Sequence, residues 1–149
     1  DRDVYFRAML RLLKYHRRQI ARGLEFIESE GLCPGPRRYL QYFDATGEIK
    51  ETFVGTLASL ALGYQYSNPF RPIVGIVRAD GVAKISARCS KLLFLRGLDM
   101  GRAIRKAAES VGGEGGGHAV ACGAQIEERF IEDFIAKFED EMLRQISQH

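Results

Sequence analysis

Apolar residues recur at Phe6, Leu10, Leu13, Ile20, Leu24 and Ile27, with Arg17 interrupting the series. Steps of three and four are the spacing of one helix face, and residues 3–30 hold no proline and one glycine, Gly23. The pattern predicts a first helix of about 28 residues, about 42 Å long at 1.5 Å per residue, more than a small domain needs. Arg17 lies within the apolar seam, where it must snorkel or meet a carboxylate. The other faces carry Arg2, Arg7, Arg11, Lys14, Arg18 and Arg22. Such a series is either a solvated face or the basic side of a connecting helix turned toward a polyanion. Gly31 and the Pro34–Pro36 segment end the helix.

Further along, the period changes. "RRYLQYFD" (37–44) has the β-favouring content of a short strand, with "ATGE" as the turn after it. "KETFVGTLASLALGY" (50–64) predicts a small-residue helix with Phe53, Leu57, Leu60 and Ala61 on one side. "PIVGIV" (72–77) is a nearly continuous apolar run, suited to a strand buried on both faces. Asp80-Gly81 then gives the strongest hairpin signal in the chain. In "VAKISARC" (82–89), alternation sends Ala83, Ile85, Ala87 and Cys89 to one face and Val82, Lys84, Ser86 and Arg88 to the other. That polar file is either the wet side of a half-exposed strand or a strip that grips phosphate oxygens. Arg is suited to the second role by its planar fork of donors.

"LDMGRAIRKAAESVGG" (98–113) predicts a second helix capped by Asp99, with Ile104, Ala107, Ala108 and Val111 inward. "HAVACGAQI" (118–126) reads as a close-packed strand of small residues. "EERFIEDFIAKFEDEMLRQISQ" (127–148) closes as an amphipathic helix whose acidic residues are expected at the surface. Helices alternating with strands predict one α/β domain, a mixed sheet flanked by helices, with the long first helix partly outside it.

Composition narrows this picture only a little. The 149 residues, 46% hydrophobic, suffice for one core, and a net charge of +3 permits an anionic partner without requiring one. Cys33, Cys89 and Cys122 are odd in number and lack a CxxC pair, so neither a disulfide framework nor a zinc site is expected. A cytoplasmic compartment, with no membrane span, is the expectation. The chain starts at Asp1 without a methionine or signal peptide, and is expected to be a piece of a longer polypeptide.

The oddest stretch is "GGEGGGHAVACGA" (112–124), where Glu114 and then His118 interrupt the glycines. A P-loop would need Lys where His118 stands, and a dinucleotide fingerprint would have to open a helix rather than follow one. Scattered histidines suggest no metal site, and neither a paired set of carboxylates nor a GxSxG elbow is present. Two possibilities remain. Consecutive glycines can bring backbone N–H groups to an anion beside an imidazole, or they can form a loose connection beside a chance histidine.

"KISARCS" followed by "LDMGRAIRKAAESVGGEGGGHAVACGAQI" resembles the DHHA1 domain, the C-terminal half of DHH-family phosphoesterases. The marks are the SxR strand, the helix opening like "lDlG", and the GGGH run leading into a small-residue strand. "ETFVGTLASLAL" and "VGGEGGGH" are similar to the archaeal branch of RecJ-like single-strand nucleases. The similarity covers about residues 38–147, and residues 1–31 resemble the interdomain connector helix. The resemblance implies a substrate-binding domain facing a DHH domain that carries two Mn²⁺ or Mg²⁺ ions. It implies that Arg88 pairs with a strand phosphate, that Gly115, Gly116 and Gly117 offer N–H groups to another, and that His118 contacts phosphate near the scissile bond. Ser86 is a weaker carry-over, and Lys84 is added from strand alternation alone. No DHH motif or metal-binding aspartate cluster occurs in the chain, so this piece is expected to hydrolyse nothing alone. The implied partners are single-stranded nucleic acid or oligonucleotide, the DHH catalytic domain of the same polypeptide, and replicative helicase components. The same fold could instead serve short oligonucleotides or cyclic dinucleotides, or act as a docking module for a replication complex.

Overall fold

The computed structural model describes residues 1–63 and 68–147. Six strands form one sheet: β1 (Cys33–Pro34), β2 (Gln41–Asp44), β3 (Ile73–Ala79), β4 (Val82–Arg88), β5 (Glu114–Gly117) and β6 (Ala121–Glu127). Their spatial order is β1-β2-β3-β4-β6-β5. The β2–β3 pair is parallel and the other four pairs are antiparallel, so the sheet is mixed, as predicted. Five helices accompany it: α1 (Arg2–Glu30), α2 (Val54–Leu62), α3 (Lys91–Leu95), α4 (Met100–Ser110) and α5 (Ile131–Ser147).

Local chemistry explains the elements. Asp80 (φ 54°) and Gly81 (φ 80°) both take the left-handed conformation that a two-residue hairpin turn demands, and Ala79 faces Val82 across it. The Asp99 carboxylate accepts the Arg102 N–H at 3.2 Å and starts α4. The first five residues of β3 are buried because helices cover both of its faces.

The two faces are covered unequally. On one, α4 and α5 pack Ile104, Phe134 and Phe138 against Ile85, Ala87, Ala124 and Ile126. On the other, α2 and the C-terminal half of α1 pack Leu57, Val54 and Ile27 against Phe43, Ile73 and Val77. Helix α2 has extensive contact with β3 and β4. The outer strands β6 and β5 therefore keep an open surface on the α2 side, which positions the site.

Several expectations are corrected. The seam of α1 meets the body only from Tyr15 onward; Phe6, Leu10 and Leu13 are exposed, and so is Arg17, which has no need of a buried carboxylate. The strand predicted over 37–44 begins only at Gln41. Residues 37–40 instead form a bend held by Glu139, which lies fully buried although the acidic residues of α5 were expected at the surface. Leu60, predicted inward, is exposed. The short helix α3 had no periodic signal. The glycine run is itself edge strand β5, with Gly115 and Gly116 paired to Ala124 and Gly123. The predicted ends of two helices, at Tyr64 and Gln148, lie outside the described residues.

Candidate functional site

The polar file of β4 is real, and its neighbours are set by strand register. Residues directly opposite in antiparallel strands share a face. Ser86 faces Gly123, which faces Gly116; Lys84 faces Gln125, which faces Glu114; Arg88 faces Ala121. Three rows thus cross β4 and β6, two of them reaching β5, on the side that the α4–α5 layer does not cover. The middle row has one side chain, Ser86, followed by two glycines. Ser86 is buried, whereas a Cβ added at Gly116 would meet nothing within 4 Å, so the row runs from a covered hydroxyl to a bare backbone floor that opens at Gly116.

Above that floor is a hollow of about 400 Å³, lined by Lys84, Ser86, Glu114, Gly115, Gly123 and Gln125. Arg88, outside that lining, lies two residues along β4 from Ser86 and against α2. The Arg88 guanidinium donates from Nε to Ser59 Oγ at 3.0 Å, and from Nη1 to the carbonyl oxygens of Ala87 at 2.9 Å and Cys122 at 3.2 Å. Every one of these acceptors is neutral, and among the described residues no carboxylate pairs with Arg88. Its Nη2 lies where a side chain on α2 would intrude: a Cβ at Gly55 would stand 2.7 Å from it and 3.4 Å from Ser86 Oγ. Glycine at position 55 leaves the guanidinium room to lie in this position against α2.

His118 closes the turn between β5 and β6, its N–H donating to the Ala121 carbonyl oxygen at 2.9 Å. Ala121 is also the residue opposite Arg88, so the two motif residues flank one backbone position at the same end of the sheet. His118 is exposed. Gly117, with φ 136°, makes the bend into the turn, whereas Gly115 and Gly116 are extended. The glycines therefore present a planar edge rather than a concave nest.

Of the predicted site residues the hollow brings together Lys84, Ser86 and Gly115, with Gly116 in the same row as Ser86; Arg88 and the Gly117–His118 turn lie outside that lining, toward the other end of the same strands. Glu114, Gln125, Gly55 and Ser59 were missed as neighbours of the site. Glu114 carried a signal, since it interrupts the glycine run; Gly55 and Ser59 carried none, because only tertiary packing sets α2 beside Arg88.

Two thiols lie on the opposite face of these strands. Burial pushes Cys122 up to about 12, against a smaller opposing pull from Arg88, and burial likewise pushes Cys89 up to about 11. Both are held as thiols at neutral pH. Among the described residues no three His, Cys, Asp or Glu side chains are grouped to hold a metal ion, and the residues of the hollow do not fit one. No described helix is long and apolar enough to cross a membrane.

A half-covered mixed sheet carrying an SxR strand beside a GGGH turn defines the class. The chain belongs to the DHHA1 domain family, whose model matches residues 48–144 and so takes in every residue of the site. That is the domain family the sequence resemblance implied. An uncharacterised protein of Methanocaldococcus jannaschii is 32% identical over 93 residues, 62% of this chain and 20% of that protein. The chain thus spans about a fifth of the length of that curated relative. RecJ from Thermus thermophilus, solved in complex with Mn²⁺, shares the fold with a TM-score of 0.68 at 19% identity, over 92% of this chain and 18% of that one. The C-Ala domain of Aquifex aeolicus alanyl-tRNA synthetase shares it with a TM-score of 0.56 at 12% identity, over 74% of this chain and 95% of that one.

Proposed function

We propose that this domain holds the phosphates of a single-stranded nucleic acid or oligonucleotide, and presents the strand to a metal-dependent DHH domain of the same polypeptide. The observation that carries the proposal is the state of Arg88. Its guanidinium is oriented by three neutral acceptors, has no carboxylate partner among the described residues, and borders an open backbone floor with His118 at its end. A cation fixed in direction but left uncompensated is suited to a phosphate, since little side-chain entropy is left to lose on binding. Ser86 adds a neutral donor, and the Gly116 floor lets a sugar–phosphate chain come close to the main chain. Contacts of this kind position a strand and carry little base information.

Mn²⁺ or Mg²⁺ belongs, in this proposal, to the DHH domain, and hydrolysis with it. The far end of α1 supports a covering partner: Tyr5, Phe6, Met9 and Leu12 are more than half exposed. An apolar surface on a helix that leaves the body fits a second domain packed over it.

Fluorescence anisotropy against a length series tests the proposal, from a dinucleotide to a strand of about ten nucleotides. Affinity should rise with length and fall as salt rises. Arg88→Ala should weaken binding by about tenfold or more, the loss expected for a charge-assisted hydrogen bond. Affinity that is the same for dinucleotide and long strand would favour a short-substrate pocket. Binding unaffected by Arg88→Ala would remove the basis of the proposal.

A further inference from the structure

Resting on that phosphate-site reading, we propose that Glu114 accepts a hydrogen bond from a ribose 2′-hydroxyl, which makes the hollow select ribonucleotide strands over deoxyribonucleotide ones. The sheet face that carries the hollow is polarised. At one end, outside the hollow's own lining, stand Arg88 and the His118 turn. At the other is the row Lys84–Gln125–Glu114, four residues along β4 and so about 14 Å away at 3.4 Å per residue. Groups that far apart meet different parts of one ligand: a phosphate at the first end, a sugar at the second.

Glu114 is the anomaly in a surface otherwise fit for anions. It is exposed, lines the hollow, and forms no ion pair among the described residues. Lys84, on the same face, is also without an ion pair among the described residues, and two strand spacings place the two backbones about 10 Å apart. Gln125 lies between them. The row therefore offers an acceptor-only carboxylate, an amide that donates and accepts, and an ammonium, with a gap between the two charges.

The backbone of a deoxyribonucleotide strand offers only acceptors: phosphate, ester and ring oxygens. A carboxylate beside it is repelled and left without a partner. A ribose adds one O–H donor at every residue, and that group both donates to a carboxylate and accepts from an ammonium or amide. Acidic side chains read ribose hydroxyls in this way in dinucleotide-binding folds. Donors on base edges vary with sequence, whereas the sugar hydroxyl does not, which separates the two by experiment.

The test is anisotropy on the 149-residue chain with labelled ten-nucleotide strands in ribo, deoxy and 2′-O-methyl form, each in two unrelated sequences. The unaltered chain should bind ribo strands about tenfold tighter than deoxy ones, as one charge-assisted hydrogen bond allows. The 2′-O-methyl strands, which lack the donor, should behave like deoxy ones. Glu114→Ala should bring ribo affinity down to the deoxy level without weakening deoxy binding, and Glu114→Gln should keep an intermediate preference. Equal ribo and deoxy affinity, a preference that survives Glu114→Ala, or one confined to a single sequence overturns the proposal and leaves the phosphate site standing. Failure to bind any strand overturns both.

Discussion

Glu139 offers the sharpest test of how the sheet is held. It is fully buried on α5, and its carboxylate accepts three main-chain N–H groups: Arg37 at 2.6 Å, Tyr39 at 3.0 Å and Leu40 at 3.0 Å. Those residues form the bend that leads into β2, and Arg38 between them sits at φ 59°, a conformation that costs a non-glycine residue free energy. The carboxylate therefore offsets strain and satisfies donors at once. In Glu139→Ala the Leu40 N–H is left buried without an acceptor, while the Arg37 and Tyr39 N–H groups are only partly buried and can turn to water. At about 1–3 kcal/mol for each unsatisfied group, with charge-assisted bonds at the upper end, the expected loss is about 3–5 kcal/mol. For a urea slope of about 2 kcal/mol per molar, that is a fall of about 2 M in the unfolding midpoint. Glu139→Gln keeps the shape but offers one acceptor oxygen and turns an NH₂ toward the same donors, so it should recover less than half the loss. Urea unfolding followed by circular dichroism measures both variants. A midpoint shift below about 0.5 M for Glu139→Ala would overturn this reading, because it would mean that the bend is stable without its anion.

Other outcomes follow from the same geometry. Gly55→Ala places a Cβ against Arg88 Nη2 and should weaken oligonucleotide binding several-fold in anisotropy, with less than about 1 kcal/mol lost in urea unfolding, because a flexible guanidinium can give way. Ellman's reagent at pH 8 should modify Cys33, which is exposed, within minutes, and reach the buried Cys89 and Cys122 only on denaturation. Burial raises Cys89 to about 11 and Cys122 to about 12 from the usual 9.0, and burial plus Cys89 raises Tyr39 to about 12 from 10.0. The folded chain keeps these protons where the unfolded chain loses them, so their stabilisation is intact below about pH 9 and declines between pH 9 and 12. Thermal melts across that range check the sign, and a rise in midpoint above pH 9 would contradict it.

How much of this could be read from the residues depends on the range of the interactions. The β3–β4 hairpin was legible because Asp80-Gly81 and strict alternation act within a few residues, and the same alternation put Lys84, Ser86 and Arg88 on one face. Helix α4 announced itself by Asp99 and its inward Ile104, Ala107 and Ala108. The glycine run did not reveal itself as strand β5, since glycine has no β preference and its pairing with β6 is imposed by α4 packing on one face. Glu139 was misplaced because charge predicts exposure unless a distant bend supplies donors, and that bend lies about a hundred residues away in sequence. The exposed half of α1 looks like any amphipathic helix in sequence; only the fold shows that the body stops short of it.

In the proposed function a strand phosphate lies where Arg88, Ser86 and the Gly116–His118 edge meet. Titration of the isotope-labelled chain with a ten-nucleotide strand, followed through its amide resonances, examines that placement residue by residue. The largest shifts are expected at Ser86, Arg88, Gly116, Gly117 and His118, and they should be lost in Arg88→Ala. Shifts confined to the basic side of α1 or to the α4–α5 layer, with the β5–β6 turn silent, would contradict it.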